Sequence, residues 1–421
     1  MKKLGMGLTA ALCFLTLQGF DWYTDQTETS LDRIEQAISP EDGALGSVMA
    51  SPSKQKPNYY YHWIRDAALT MREVFEWRST APQWSRETLL DYVAFSRQNQ
   101  LTKNPSGTVA DNGLGEPKFY LDGEAYWDSW GRPQNDGPAL RALVLIDLAY
   151  ELLKEGKSSV VRELLYDSKL PAHTVIKSDL EYISYHWKDL SFDLWEEVYA
   201  NHFYTRLAQY QALKRGAKLA IKLKDSGAAQ WYETQSKLVY QSLEKFYDQD
   251  RGIILVSINN KKNKRPMAEK SSGLDVAVIL GVLHAGNPDG KFSVFDPRVL
   301  KTAQAIEKAF GDLYAINKTK LDREGRVMAA AIGRYPEDTY DGLATDGVGN
   351  PWFLATHALA EFYAKRGELD RADQFMRRSR YHTARYGHQS EQFDRSNGMM
   401  RGARDLTWSY ASFLSVMRYM D

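Results

Sequence analysis

The chain has 421 residues, with 54 lysines and arginines against 54 aspartates and glutamates, so its formal net charge is zero. That balance argues against a nucleic-acid partner, which requires a basic footprint. The single cysteine, Cys13, excludes a disulfide within the chain and a cysteine-based zinc site.

The first 20 residues, "MKKLGMGLTAALCFLTLQGF", place two lysines before an apolar run of about 14 residues. This matches a secretory signal and is short for a membrane span, so the expectation is export to the periplasm or medium, with no other membrane association. The cleavage site lacks a clean small-x-small pair near Gly19, and a buried first helix is the alternative. From residue 21 to 421, apolar residues recur at helical spacing almost throughout. Caps and breakers predict helices near 27–39, 62–78, 85–98, 138–155, 159–168, 200–224, 228–247, 273–286, 298–311, 351–366, 368–386 and 404–420. In 228–247 the predicted buried stripe is Trp231, Leu238, Val239, Leu243 and Phe246. The best strand pattern is "GIILVSI" at 252–258.

Short connections, "DSG" at 225–227 and "RGE" at 366–368, predict tight helix hairpins. Long ones cover 40–61, 99–137, 169–199, 248–272, 312–350 and 387–403. If the hairpins pack side by side in a ring, all the long connections emerge at one end, where a functional site is expected. No composition break or linker divides the chain, so one all-α domain is expected. The basic run "KKNKR" at 261–265 reads as a solvated loop. The eight histidines show no metal-ligand spacing, so neither a metal nor a cofactor is expected. Asn317 fits a glycosylation sequon, to which no role is assigned.

The long connections hold the unusual stretches: "YYYHWIRDAAL" (59–69), "GLGEPKF" (113–119), "SWGRPQNDGPALRA" (129–142), "DLWEEV" (193–198), "GRYPEDTYDG" (333–342), "GNPWFLAT" (349–356) and "SEQFDRSNG" (390–398). Converging, they would line a pocket with aromatic faces and hydrogen-bonding groups, which suits a sugar ring. Hydrolysing a glycosidic bond needs two carboxyl groups on opposite sides of that bond. Glu196 and Glu197 sit among Phe192, Leu194, Trp195, Val198, Tyr199 and Phe203, apolar company that suits a general acid. As neighbours in the chain they point in different directions and cannot form the pair themselves. By residue type the partner is one of Asp66, Glu116, Asp136, Glu337, Asp338, Glu391 and Asp394.

These stretches resemble the glucoamylases of glycoside hydrolase family 15 from Tyr59 to Tyr410, in the same order. "GRPQNDGPALRA", "DLWEEV", "GRYPED", "GNPWF" and "ARDLTWSY" carry the likeness. The resemblance implies an (α/α)6 barrel of six helix pairs and an inverting, exo-acting glucan 1,4-α-glucosidase. Its substrates would be starch, maltodextrins or other α-glucans, with α-1,6 or trehalose preference as the alternative within the family and a non-catalytic glucan-binding protein outside it. It implies Glu196 as general acid and Glu391 as general base. Arg65, Asp66, Glu197, Arg334 and Asp338 would hold sugar hydroxyls, and Tyr59, Trp63, Trp130, Trp352 and Trp408 would wall the pocket. A monomer is expected. No starch-binding module follows Asp421, so weak binding to raw granules is expected. Gly402 stands where fungal relatives carry a serine, a departure expected to bear on pH response or bond preference.

Overall fold

The computed structural model describes residues 22–258 and 270–420. The apolar start of the chain, Cys13 and the basic run at 261–265 lie outside the described residues. In chain order the helices are α1 (Trp22–Ala37), α2 (Ile64–Glu76), α3 (Pro82–Leu101), α4 (Gly137–Lys154), the single turn α5 (Ser158–Val160), α6 (Val175–His186) and α7 (Phe203–Lys222). They continue with α8 (Ser226–Leu243), α9 (Ala277–Ala285), α10 (Pro297–Leu313), α11 (Phe353–Lys365), α12 (Leu369–His382) and α13 (Thr407–Met417).

Two kinds of helix sort themselves by sequence. Helix α9, AVILGVLHA, and helix α11, FLATHALAEFYAK, are buried along nearly their whole length. A helix that is apolar on every side must be surrounded by others. Helix α12 has a one-sided pattern, burying Ala372, Phe375, Met376 and Ser379. Accordingly α2, α4, α7, α9, α11 and α13 each pack on the next, and α13 closes on α2. Around this ring α1 packs on α13, α3 on α2, α6 on α4 and α7, α8 on α7, α10 on α9, and α12 on α11. The chain alternates outer and inner helices, which is the (α/α)6 barrel.

Every connection from an outer to the next inner helix is long, and the turns at Leu223–Asp225 and Arg366–Glu368 are as tight as expected. All six inner helices therefore begin at the end of the ring where the long segments gather. The strands are two to four residues long and belong to these segments: His62–Trp63 pairs with Lys118–Phe119, and Gln392–Phe393 with Met400–Arg401.

Five expectations need correction. The segment 169–199 is not a plain connection, because α6 lies inside it. Its buried face includes Lys177 and Asp179, and those charges conceal the apolar period. Residues 158–165 form one short α turn that widens into a π turn. "GIILVSI" divides into Ile253–Ile254 and Ser257–Ile258, which pair with different partners, and Tyr199–His202 is a strand rather than the start of α7. On α8 the buried line is Tyr232, Gln235, Ser236, Val239 and Leu243, whereas Trp231 and Leu238 are exposed. The step of 3.6 residues places those two beside the seam rather than in it.

Helix α6 is fastened by charge. Asp179 accepts from Arg141 Nε at 2.8 Å and from a terminal nitrogen at 2.6 Å, and both residues are buried. Gly216 of α7 allows close approach, since a Cβ there would stand 2.5 Å from Leu180 of α6. Removing one member of a buried pair strands the other's charge, so Asp179→Ala should cost about 3–5 kcal/mol. Urea denaturation should show the midpoint falling; an unchanged midpoint would contradict this role.

Candidate active site

Six inner-helix N-termini gather at one mouth. Trp63, Asp136, His202, Val276, Trp352 and Leu406 are the cap residues there. Helix N-termini carry partial positive charge and unpaired N–H groups, so this end favours carboxylates. A pocket opens among them, with about 480 Å³ of empty space, part of it continuous with solvent. It is lined by Ala50, Tyr59, Trp63, Arg65, Asp66, Leu194, Trp195, Glu196, Arg334, Tyr340, Trp352, Glu391, Leu406 and Trp408.

Of the seven carboxylates open as partners by residue type, only Asp66 and Glu391 line this pocket. Glu116 is taken by Arg132 and Ser106, and Asp136 caps α4 and faces Arg65. Glu337 binds Ser271 and Ser272, Asp338 binds Arg334, and Asp394 binds the turn at Ser396 and Arg401.

Glu196 is held by nitrogen donors on both oxygens. Trp63 Nε1 and Gln134 Nε2 donate to Oε1 at 2.7 and 3.0 Å, and Trp130 Nε1 donates to Oε2 at 2.8 Å. Its backbone has φ of +68°, a left-handed conformation that costs a non-glycine residue about 1–2 kcal/mol. Asp193 imposes it. That side chain accepts the N–H of Glu197 and Val198 at 2.8 and 3.0 Å, while its carbonyl accepts the N–H of Glu196 at 2.9 Å. Lys270, 2.7 Å from Asp193 and 2.7 Å from Asp275, neutralises the hub. Burial opposes the charge on Asp193, but Lys270 and His202 hold its carboxyl below the ordinary range.

Glu197 faces elsewhere. Arg334 donates to its Oε1 at 2.7 Å and the Tyr335 hydroxyl to its Oε2 at 2.6 Å. Burial pushes its pKa up, with Arg334 opposing. Asp338 accepts from Arg334 Nε and a terminal nitrogen at 2.8 and 2.6 Å. Glu197 and Asp338 are thus not among the residues lining the pocket, and both hold Arg334, which is.

Glu391 is fully buried as a residue. It accepts from Tyr59 Oη at 2.9 Å on Oε1, and from Tyr340 Oη and the Ala403 N–H at 3.2 Å each on Oε2. Burial pushes its pKa up to about 7, the donors and Arg334 limiting the rise. Gly402 lies against it at φ of +72°, and a Cβ there would come within 2.0 Å of Oε2. A serine at this position would displace the carboxylate or the backbone. Asp66 is pushed up to about 6, first by burial, with Arg65 opposing and the charges of Glu196 and Asp136 adding. Arg65 lies 3.2 Å from Asp66, 3.3 Å from Asp136 and 3.8 Å from Glu196. Asp66 therefore belongs to the Glu196 side of the pocket, whereas the influences on Glu391 come from Tyr59, Tyr340, Ala403 and Arg334.

Trp352 and Trp408 flank Trp195, with ring centroids 5.6 and 6.2 Å from it. Trp130 does not line the pocket; it reaches it through Glu196. The contributors that escaped the sequence reading include Asp193, Tyr340 and Lys118. Lys118 is buried, its ammonium 3.3 Å from the Trp130 ring centroid, 3.9 Å from that of Tyr126 and 4.7 Å from that of Trp63. The sequon residue Asn317 is fully buried and bonded to the carbonyls of Phe310 and Ala331, so it offers no acceptor for a glycan. Among the described residues no group of His, Cys, Asp and Glu is arranged to hold a metal ion.

The sequence profile of "Glycosyl hydrolases family 15" matches residues 26–372 and 369–418. The chain belongs to glycoside hydrolase family 15. It is 38% identical to a glucoamylase of Blastobotrys adeninivorans, over 90% of this chain and 68% of that one. It is 32% identical to a probable glucoamylase of Schizosaccharomyces pombe, over 91% and 86%. A solved glucoamylase of Saccharomycopsis fibuligera superposes with a TM-score of 0.84 at 28% identity, covering 97% of this family 15 chain and 98% of the other.

Burial pushes the Lys118 ammonium down to about 8. Between pH 7 and 9 it should therefore lose its charge and its hold on the rings of Trp130 and Trp63. Indole fluorescence should change with a midpoint near pH 8 in the wild type, and Lys118→Met should abolish that change. A transition persisting in the variant would contradict the assignment.

Proposed function

We propose that this family 15 chain is an exo-acting, inverting glucan 1,4-α-glucosidase that releases β-D-glucose from the non-reducing ends of starch-like α-glucans, acting as a monomer. The same reading takes residues 1–20 as an export signal and 21–421 as the catalytic unit. A relative from Saccharomyces cerevisiae is named an intracellular, sporulation-specific glucoamylase. No helix among the described residues is long and apolar enough to cross a membrane.

The observation that carries the proposal is the separation of two carboxyl groups into unlike surroundings within one aromatic pocket. Glu196 meets three N–H donors, and Glu391 meets two tyrosine hydroxyls and one backbone N–H. In the proposed step Glu196 gives its proton to the glycosidic oxygen as the bond from C1 to that oxygen breaks. Water adds to C1 from the opposite face and gives a proton to Glu391. The donors on Glu196 stabilise the carboxylate that proton transfer leaves. Helix starts close the pocket at depth with Arg65, Asp66 and Trp408, so a chain end enters and a chain middle does not. Buried Arg334 and partly exposed Asp66 offer partners for hydroxyls, and Trp352, Trp195 and Trp408 offer apolar faces.

Glu196→Gln keeps shape but supplies no proton, so kcat on maltose should fall about 10²- to 10⁴-fold. Glu197→Gln loosens Arg334 and should chiefly raise KM. The reverse pattern would overturn the assignment within the pair. Assaying maltoheptaose, isomaltose and trehalose side by side should show maltoheptaose strongly preferred.

A base works as its carboxylate. With Glu391 pushed up to about 7, kcat/KM should fall tenfold per unit as pH drops below that value. Tyr340→Phe removes a donor that favours the charged form, so the acid limb should move to higher pH. A limb that stays in place or moves down would contradict the base role.

A further inference from the structure

Outside the pocket, on the segment between α3 and α4, two aromatic residues stand in solvent: Trp127 is 62% exposed and Tyr120 is 39% exposed. They border a second hollow with about 650 Å³ of empty space, open to solvent, whose rim also carries Lys103, Glu124 and Asp128. Large exposed rings beside charged groups suit a sugar, which offers an apolar face and a belt of hydroxyls.

A row of aromatic rings links the active site to this hollow. From Glu196 the hydrogen bond to Trp130 Nε1 leads to the Trp130 ring, then to Tyr126 at 5.8 Å and to Tyr120 at 6.1 Å between ring centroids. Tyr61 backs this row, 5.3 Å from Tyr120 and 5.4 Å from Tyr126. Exposure rises along the path, from half-buried Trp130 and Tyr126 to exposed Tyr120 and Trp127. The general acid must face the leaving oxygen, so the part of the glucan that departs lies on the Glu196 side, where this row begins.

The backbone that carries these rings is held in place. Arg132 donates to the carbonyl of Tyr126 at 2.7 Å and to that of Asp128 at 2.8 Å, clamping the backbone on both sides of Trp127, and is itself held by Glu116. The turn before it is closed by the Tyr120 N–H to Glu124 carbonyl bond at 2.9 Å and by Gln98 on the Asp122 carbonyl at 3.0 Å. Backbone fixed beforehand leaves less to order when a sugar binds.

We infer that Trp127 and Tyr120 form a remote platform for the leaving-side glucose units of an α-glucan whose non-reducing end occupies the pocket. The inference rests on the hydrolase reading for its orientation. It makes chain-length preference a property of Trp127, since maltose ends before the ring-to-ring steps beyond Trp130 are spanned.

The test is binding measured by calorimetry in the Glu196→Gln background, with maltose and maltoheptaose as probes. Adding Trp127→Ala should raise the maltoheptaose Kd roughly threefold to tenfold, as expected for a lost stacking contact. The maltose Kd should stay as it was, and Trp127→Phe should restore most of the loss. An unchanged maltoheptaose Kd, or equal weakening of both sugars, would overturn the platform. Glucose release from maltose by the wild type reports the hydrolase reading separately, and the binding comparison decides the platform whichever way that assay falls.

Discussion

Everything at the site depends on one constraint: a closed ring of six inner helices, all entered from the same side, aims six N-termini at a single mouth. Unpaired N–H groups and the helix dipoles make that mouth electropositive. The carboxylates collected there answer it, with Asp136 capping α4 and Asp275 accepting the N–H of Ala277 at the start of α9. Two buried guanidiniums do the rest. Arg65 gathers Asp66, Asp136 and Glu196, and Arg334 gathers Glu197 and Asp338. For Arg334, burial opposes the charge, but Asp338 and Glu197 raise its pKa well above the ordinary value. Charges confined in this way are expensive to rearrange, so the pocket is organised before any substrate arrives.

The glutamate pair shows how adjacent residues acquire different work. Asp193 wraps the turn 193–198 around its own carboxylate, and the left-handed backbone at Glu196 turns the two side chains apart. One then meets indole and amide donors, the other a guanidinium and a phenol. The strain is stored where the chemistry is proposed and is met by the buried ion pair with Lys270. A similar economy operates at Glu391, where the absence of a side chain at Gly402 lets the carboxylate pack against backbone and present itself to two tyrosines.

Much of the fold was legible in the sequence because apolar residues recur at helical spacing, inner helices α9 and α11 are apolar almost all round, and long segments fall regularly between the helix pairs. Helix α6 was not, since its buried Lys177 and Asp179 are paired with partners far along the chain, Asp225 and Arg141. Within the site, the resemblance named the glutamates, arginines and tryptophans as candidates, and residue type alone left seven partners open for Glu196. Only position in space reduces those to the two that line the pocket. Tyr340 and Lys118 sit in stretches already marked as unusual, yet their importance lies in what they touch: the Glu391 carboxylate for one, the rings of Trp130 and Tyr126 for the other. No local pattern announces such contacts. Glu197 and Asp338 illustrate the converse: neither lines the pocket, and both meet Arg334, which does.

The central claim is that Glu196 and Glu391 act from opposite faces of the sugar, so that water enters opposite to the leaving oxygen. Proton NMR of the anomeric region during the first minutes of maltose hydrolysis tests it most directly. The account predicts that the β-anomer of glucose appears first and mutarotates afterwards. Release of α-glucose as the initial product would contradict the base role of Glu391 and the inverting mechanism together.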